Sequence, residues 1–148
     1  MSVVAYDGRT LAADCQATNV DMRTRVSKML KTPRAVLAWV GDHERGLVLA
    51  DWYCNGAKPE DWPAFQRTDK WCRLVAMTPT GLYEYEQEPF AQRVTDRHFA
   101  CGSGRDYAIG AMAAGASAVR AVEIASQYNV YCGMGVEAYE RNCIEDGQ

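Results

Sequence analysis

Six consecutive apolar residues, Ala35-Val36-Leu37-Ala38-Trp39-Val40, lie between Pro33 and the pair Gly41-Asp42. A run this short and this apolar reads as a strand, and its lack of alternation means that both faces must be covered. Trp71 to Met77 is a second such strand. Val3 to Tyr6, the Asp7-Gly8 turn signal and Thr10 to Ala13 predict a hairpin that ends at Asp14. Residues 18 to 24 read as a polar loop, and Arg25 to Lys31 alternates loosely until Thr32-Pro33 breaks it. Asp42 is placed to cap a helix running to about Cys54, with Val48 and Trp52 on one face and Asn55-Gly56 closing it. Lys58 to Phe65 allows a short helix at most. Pro79-Thr80-Gly81 turns the chain into a strand from Leu82 to Glu86, where Tyr83 and Tyr85 alternate with Glu84 and Glu86, one face buried and one wet.

Pro89 to Thr95 and His98 to Cys101 add further β content. The Gly102-Ser103-Gly104 turn then starts a small-residue helix from Asp106 to Ala114, Ser117 caps another to about Tyr128, and one or two short strands follow within Val130 to Tyr139. Runs of strands separated from runs of helices argue against a βαβ parallel sheet. The expected fold is α+β: a four-layer αββα sandwich, two antiparallel sheets flanked by helices, in a single domain over residues 1–148.

The chain is 48% hydrophobic and 24% charged, and its formal net charge of -3 lacks the basic footprint of a nucleic-acid binder. No stretch approaches the roughly 20 apolar residues of a membrane span, and the first residues lack a signal peptide's basic region and apolar core. A cytoplasmic location follows as the expectation, and with it reduced thiols. The six cysteines show no CxxC and no zinc spacing, so buried free thiols are expected rather than a disulfide framework. His43 and His98 have no repeated acidic partner that would mark a triad or a metal site.

Four segments, taken together and in order, carry a resemblance. They are Ser2-Val3-Val4-Ala5-Tyr6 before Asp7-Gly8, Ala13-Asp14-Cys15-Gln16-Ala17-Thr18, Val26-Ser27-Lys28-Met29, and Ala100-Cys101-Gly102-Ser103-Gly104-Arg105-Asp106-Tyr107-Ala108. The sequence resembles HslV, the bacterial proteasome-related peptidase family, and more broadly the proteasome β subunits, from residue 2 to about 140. The resemblance implies an N-terminal nucleophile (Ntn) hydrolase of the threonine-protease class, in which Ser2 attacks an amide carbonyl after Met1 is removed. It also implies that Asp14 and Lys28 tune the site, that Ser103 bonds near the amine, and that the Gly41 N–H belongs to an oxyanion hole. Gly41 reads equally well as a strand-to-helix turn. Ala17, Val26 and Val40 fall where the family lines its first specificity pocket, with Trp39 narrowing it; such residues are also ordinary core. Ser126, Asn129 and Cys132 have the spacing at which HslV offers backbone carbonyls to a monovalent cation such as Na+, though many such turns are only turns. No other cofactor is implied.

The physical logic of this set is simple. A hydroxyl needs a base within reach, and a free α-amine with a reference pKa of about 7.7–8.0 can serve. A neighbouring ammonium keeps that amine neutral and stabilises the ionising hydroxyl. A carboxylate must in turn hold a desolvated lysine in place.

Two departures from the family bear on activity: Ser2 stands where most members have threonine, and Asn129 stands where β subunits carry an Asp. With only Met1 before Ser2, an aminopeptidase would suffice for processing. By resemblance, the expected partners are other copies of the chain in a hexameric or heptameric ring (single or stacked double), a peptide or unfolded-protein substrate, and an AAA+ ATPase, with no nucleic acid and no membrane. The short span from Gly41 to Trp71 trims the helices that would meet the ring and the ATPase. Competing expectations are a small-amide hydrolase without a chamber and a non-catalytic ring-forming or interaction protein.

Overall fold

The computed structural model describes residues 2–64 and 70–145. Its strands are β1 (Val3–Tyr6), β2 (Thr10–Asp14), β3 (Gln16–Asn19), β4 (Met22–Arg25), β5 (Met29–Lys31), β6 (Val36–Gly41), β7 (Cys72–Thr78), β8 (Gly81–Tyr85), β9 (Gln92–Val94), β10 (Phe99–Gly102) and β11 (Val136–Glu140). Three α-helices interleave with them: α1 (His43–Cys54), α2 (Arg105–Ala113) and α3 (Ala118–Tyr128). One sheet has the order β10-β1-β2-β11, another β5-β6-β7-β8-β9, and β3-β4 stands apart as a two-stranded hairpin. Every pairing is antiparallel.

Three apolar layers explain the stack. Val4, Tyr6, Leu11 and Ala13 of the first sheet meet Val36, Ala38, Val40, Val75, Met77 and Leu82 of the second. Val3, Ala5 and Ala12 point the opposite way, into Ala108 and Met112 of α2 and Ala118, Ala121, Val122 and Ala125 of α3. Leu37, Trp39, Leu74 and Ala76 lie on the outer face of the second sheet, under Leu49, Ala50 and Trp52 of α1. The period-2 alternation of side chains puts adjacent residues of one strand into different layers, so an unbroken apolar strand is one covered on both sides. The result is the αββα sandwich.

Several local expectations are corrected. The polar stretch 18–24 is not a loop: Gln16 to Arg25 pair as the β3–β4 hairpin, Gln16 opposite Arg25 and Asn19 opposite Met22. It is polar because it projects from the body and buries little beyond Gln16. Val48 is exposed, and the covered stripe of α1 is Gly46, Leu49, Ala50 and Trp52. Strand β8 has no simple wet face. Leu82 turns toward the other sheet and Tyr85 toward α1, and half-buried Glu84 survives beside Arg73, 3.7 Å away. The region 58–64 agrees with the short helix allowed there, a 3-10 turn at Pro59–Asp61, and Phe65 lies outside the described residues. The segment 130–139 yields one strand, β11. Of the six free thiols, Cys54 is exposed and Cys143 half-buried. No described helix is long and apolar enough to cross a membrane.

Candidate active site

Strand β1 starts immediately after Ser2, and β2 runs antiparallel beside it with Val4 opposite Ala13. That register brings Asp14 to the start of β1, where its Oδ1 accepts the Val3 N–H at 3.0 Å. The other oxygen accepts N–H groups from Gln16 (3.3 Å) and Gly133 (3.0 Å). Asp14 is wholly buried, and these donors replace the water it has lost.

Lys28 enters from the segment between β4 and β5 and is 2% exposed. Its ammonium donates to Ser2 Oγ at 2.6 Å, to Asp14 Oδ1 at 2.7 Å and to the Gln16 carbonyl at 2.7 Å. Three acceptors fill the three N–H directions of a charged lysine. Burial pushes the Lys28 pKa down, and the adjacent Asp14 carboxylate opposes that shift.

On the other side of Ser2, strand β10 delivers the turn 102–104. The Ser2 N–H donates to Ser103 Oγ at 3.1 Å, and Ser103 Oγ–H donates to the Ser2 carbonyl at 3.3 Å. The Gly104 N–H also donates to that carbonyl, at 3.1 Å. Gly102 has φ +94°, and a Cβ there would overlap the Ser2 carbonyl. Asn129 Nδ2 donates to the Ser103 carbonyl at 2.9 Å and so ties the end of α3 to this turn.

Gly41, with φ +100°, ends β6 at the edge of a cleft of about 700 Å³ that Val40, Gly102, Ser103, Arg73 and Arg105 also line. A Cβ on Gly41 would sit 2.6 Å from the Trp71 carbonyl, which only glycine avoids. Of the three residues expected in the specificity pocket, Val40 lines this cleft. Ala17 and Val26 are half-buried at the β3–β4 hairpin and are not among its lining residues. Trp39 does not narrow the cleft: its ring lies on the opposite face of β6, under α1. Ser126, Asn129 and Cys132 border a separate cleft of about 400 Å³ at the end of α3. Cys132 lies 3.9 Å from Ser103 Oγ, and burial pushes its thiol up to about 11, leaving almost no thiolate at neutral pH.

Ser2, Asp14, Lys28 and Ser103 thus converge on one point, with Gly41 across the adjoining cleft. The Gln16 carbonyl and the Gly102 and Gly133 backbone also belong to the arrangement. Their contributions come from main-chain atoms, which leave no side-chain signature to read.

No protein-family model matches the sequence, and no curated protein matches it. Solved structures do. The chain is similar to Thiobacillus denitrificans BPH in complex with epoxomicin, at 20% identity and a TM-score of 0.75, covering 95% of this chain and 97% of that one. A second structure of Thiobacillus denitrificans BPH gives 20% identity and a TM-score of 0.73 over the same shares. Eukaryotic HslV from Trypanosoma brucei gives 16% identity and a TM-score of 0.69, over 94% of this chain and 97% of that one. The chain has the HslV and proteasome β-subunit fold.

Proposed function

We propose that the chain is an Ntn peptidase of the HslV type, with Ser2 as nucleophile. The observation that carries this reading is the 2.6 Å contact between the buried Lys28 ammonium and Ser2 Oγ. An ammonium there stabilises the negative charge that the oxygen gathers as it attacks. While Met1 is attached, the Ser2 nitrogen is an amide and has no basic lone pair. Once Met1 is removed, it becomes the α-amine that takes the hydroxyl proton and passes it to the leaving amine. Ser103, already bonded to that nitrogen, orients it. Gly41 supplies its backbone N–H to the developing oxyanion in the cleft.

For a monovalent cation, the donors at Ser126, Asn129 and Cys132 fit in kind. No carboxylate lines their cleft, Arg23 borders it with its own positive charge, and buried Gln16 Oε1 has no hydrogen-bond partner beside neighbouring Gly133. Uncharged oxygens suit Na+ better than a divalent ion, which takes carboxylates. The proposed ion would brace the loop that carries Gly133.

Self-association into a ring is proposed with the peptidase, in the cytoplasm, with peptide or unfolded protein as substrate and an AAA+ ATPase as feeder. It is supported by the HslV-type fold and by the exposed hairpin β3–β4.

The test is intact mass followed by turnover. Met1 should be absent, peptide hydrolysis should vanish in Ser2→Ala, and epoxomicin should inhibit the wild-type protein. Retention of Met1, or unchanged hydrolysis in Ser2→Ala, would overturn the assignment. Turnover of small amides but not peptides would favour the chamber-free hydrolase. A Met1-free ring with no turnover would favour the non-catalytic reading, toward which Asn129 leans by using its amide to hold Ser103 where a carboxylate would bring charge.

A further inference from the structure

Two residues before Gly41 and two residues after it, the chain is joined to itself. The Trp39 indole N–H donates to His43 Nδ1 at 3.2 Å, and the two rings lie 6.0 Å apart between centroids. The bond spans the turn from β6 into α1, with Gly41 and Asp42 inside the loop it closes. Two further contacts fix the turn from outside: the Asp42 N–H donates to the Trp71 carbonyl at 3.2 Å, and Asp42 Oδ1 accepts the Arg45 N–H at 3.0 Å as the cap of α1. Trp39 has no freedom to swing away. It is 2% exposed, and its indole occupies the space that a Cβ on Gly46 would need.

We propose that the Trp39–His43 hydrogen bond is a clamp that orients the Gly41 peptide, and that protonating His43 opens it. His43 is thereby a positioning residue, acting on the substrate carbonyl only through Gly41. The inference rests on the proposed role of Gly41, but the clamp itself can be tested without turnover.

The chemistry of the bond sets its pH response. Nδ1 accepts only when it carries no proton, so the ring must be neutral, with its hydrogen on Nε2. A second proton would set an N–H against the indole N–H. The groups acting on the ring are Lys28 across the strand ends, which opposes protonation, and the cap residue Asp42, which favours it. Cys72 of β7, behind the turn, is pushed up to about 12 and stays neutral. Burial also holds the His43 pKa below its usual value.

The experiment is a nitrogen-15 NMR titration of the full chain from about pH 8 to about pH 5, spanning the histidine range. The Trp39 indole signal is assigned by its loss in Trp39→Phe. It and the Gly41 amide should shift together with one midpoint, and both shifts should disappear in His43→Asn, whose Oδ1 takes the place of Nδ1 and keeps accepting from the indole. On active enzyme at neutral pH, His43→Phe should lower kcat about tenfold with KM nearly unchanged, the signature of an interaction made in the transition state. His43→Asn should restore kcat and flatten its acid limb. A Gly41 amide that stays fixed while the indole titrates overturns the clamp. So does a His43→Phe enzyme with wild-type kcat. If instead Ser2→Ala leaves hydrolysis intact, the proposed site is wrong, and the NMR result still decides whether Trp39 and His43 hold the turn.

Discussion

Lys28 and Asp14 form an ion pair at 2.7 Å with both side chains almost wholly removed from water. Removing one partner of such a pair strands the other. Asp14→Ala is therefore expected to cost about 3–5 kcal/mol, and Asp14→Asn distinctly less because its amide oxygen can still accept. Urea unfolding measures both. Lys28→Met strands Asp14 in turn, but that carboxylate keeps its backbone N–H donors at Val3, Gln16 and Gly133, and the stem's volume is kept. The variant is expected to lose hydrolysis by a factor of about 10² or more while losing less stability than Asp14→Ala. A Lys28→Met protein as active as wild type would show that the ammonium does not serve Ser2. At Gly102, the φ of +94° and the carbonyl of Ser2 leave no room for a methyl group. Gly102→Ala should displace Ser2 and lower turnover even where the fold survives, as near-ultraviolet circular dichroism alongside kinetics would show.

At the scale of elements, α1 is held by its small residue as much as by its large ones. Gly46 lets the helix lie against the Trp39 indole, so Gly46→Ala should overpack the contact and cost about 1–3 kcal/mol despite alanine's better helix propensity. The same element carries a pH term. His43 has its folded pKa lowered from 6.5, first by burial and then by Lys28, with Asp42 opposing. The unfolded chain therefore takes up the proton first. Stability is full above about pH 6.5 and falls as the pH drops toward the folded value, in the direction set by linkage. Thermal melts from about pH 7.5 down to about pH 5 should show a loss that His43→Asn reduces. An identical loss in the variant would assign the acid sensitivity elsewhere.

The molecule as a whole leaves the outer end of one element uncovered, since side-chain bonds tie Gln16 to Val130 and Arg25 to Met134 only at its base. Hairpin β3–β4 belongs to neither large sheet, and an isolated two-stranded ribbon is marginal in water. Val20 and Met22 at its tip are 93% and 67% exposed, a costly arrangement for a lone subunit and a natural one for a surface covered by another copy. Light scattering of the wild-type chain should give a mass several times 16.4 kDa. The double substitution Val20→Asp, Met22→Glu should lower it with secondary structure unchanged. A wild-type species at the monomer mass would remove the ring.

Much of this architecture was written locally. The apolar run 35–40, the caps Asp42 and Ser117, and the Asp7-Gly8 and Gly102-Ser103-Gly104 turns act over a few residues, so their strands and helices could be read directly. The order of strand runs and helix runs then led to the αββα layering, because every apolar face had to be covered. Hairpin β3–β4 was illegible for the opposite reason: its strands are held by pairing with each other and carry almost no buried pattern. Ser2, Asp14, Lys28 and Ser103 could be singled out as candidates, yet nothing local states that residues 26 and 101 positions apart touch Ser2. That followed only from the antiparallel registers of β1 with β2 and β10 and from the path of the chain into β5. Tertiary structure alone decided which way Trp39 faces, and that its indole reaches His43. A strand's alternation offers two faces, and only the packing of α1 on the second sheet determines which one the tryptophan takes.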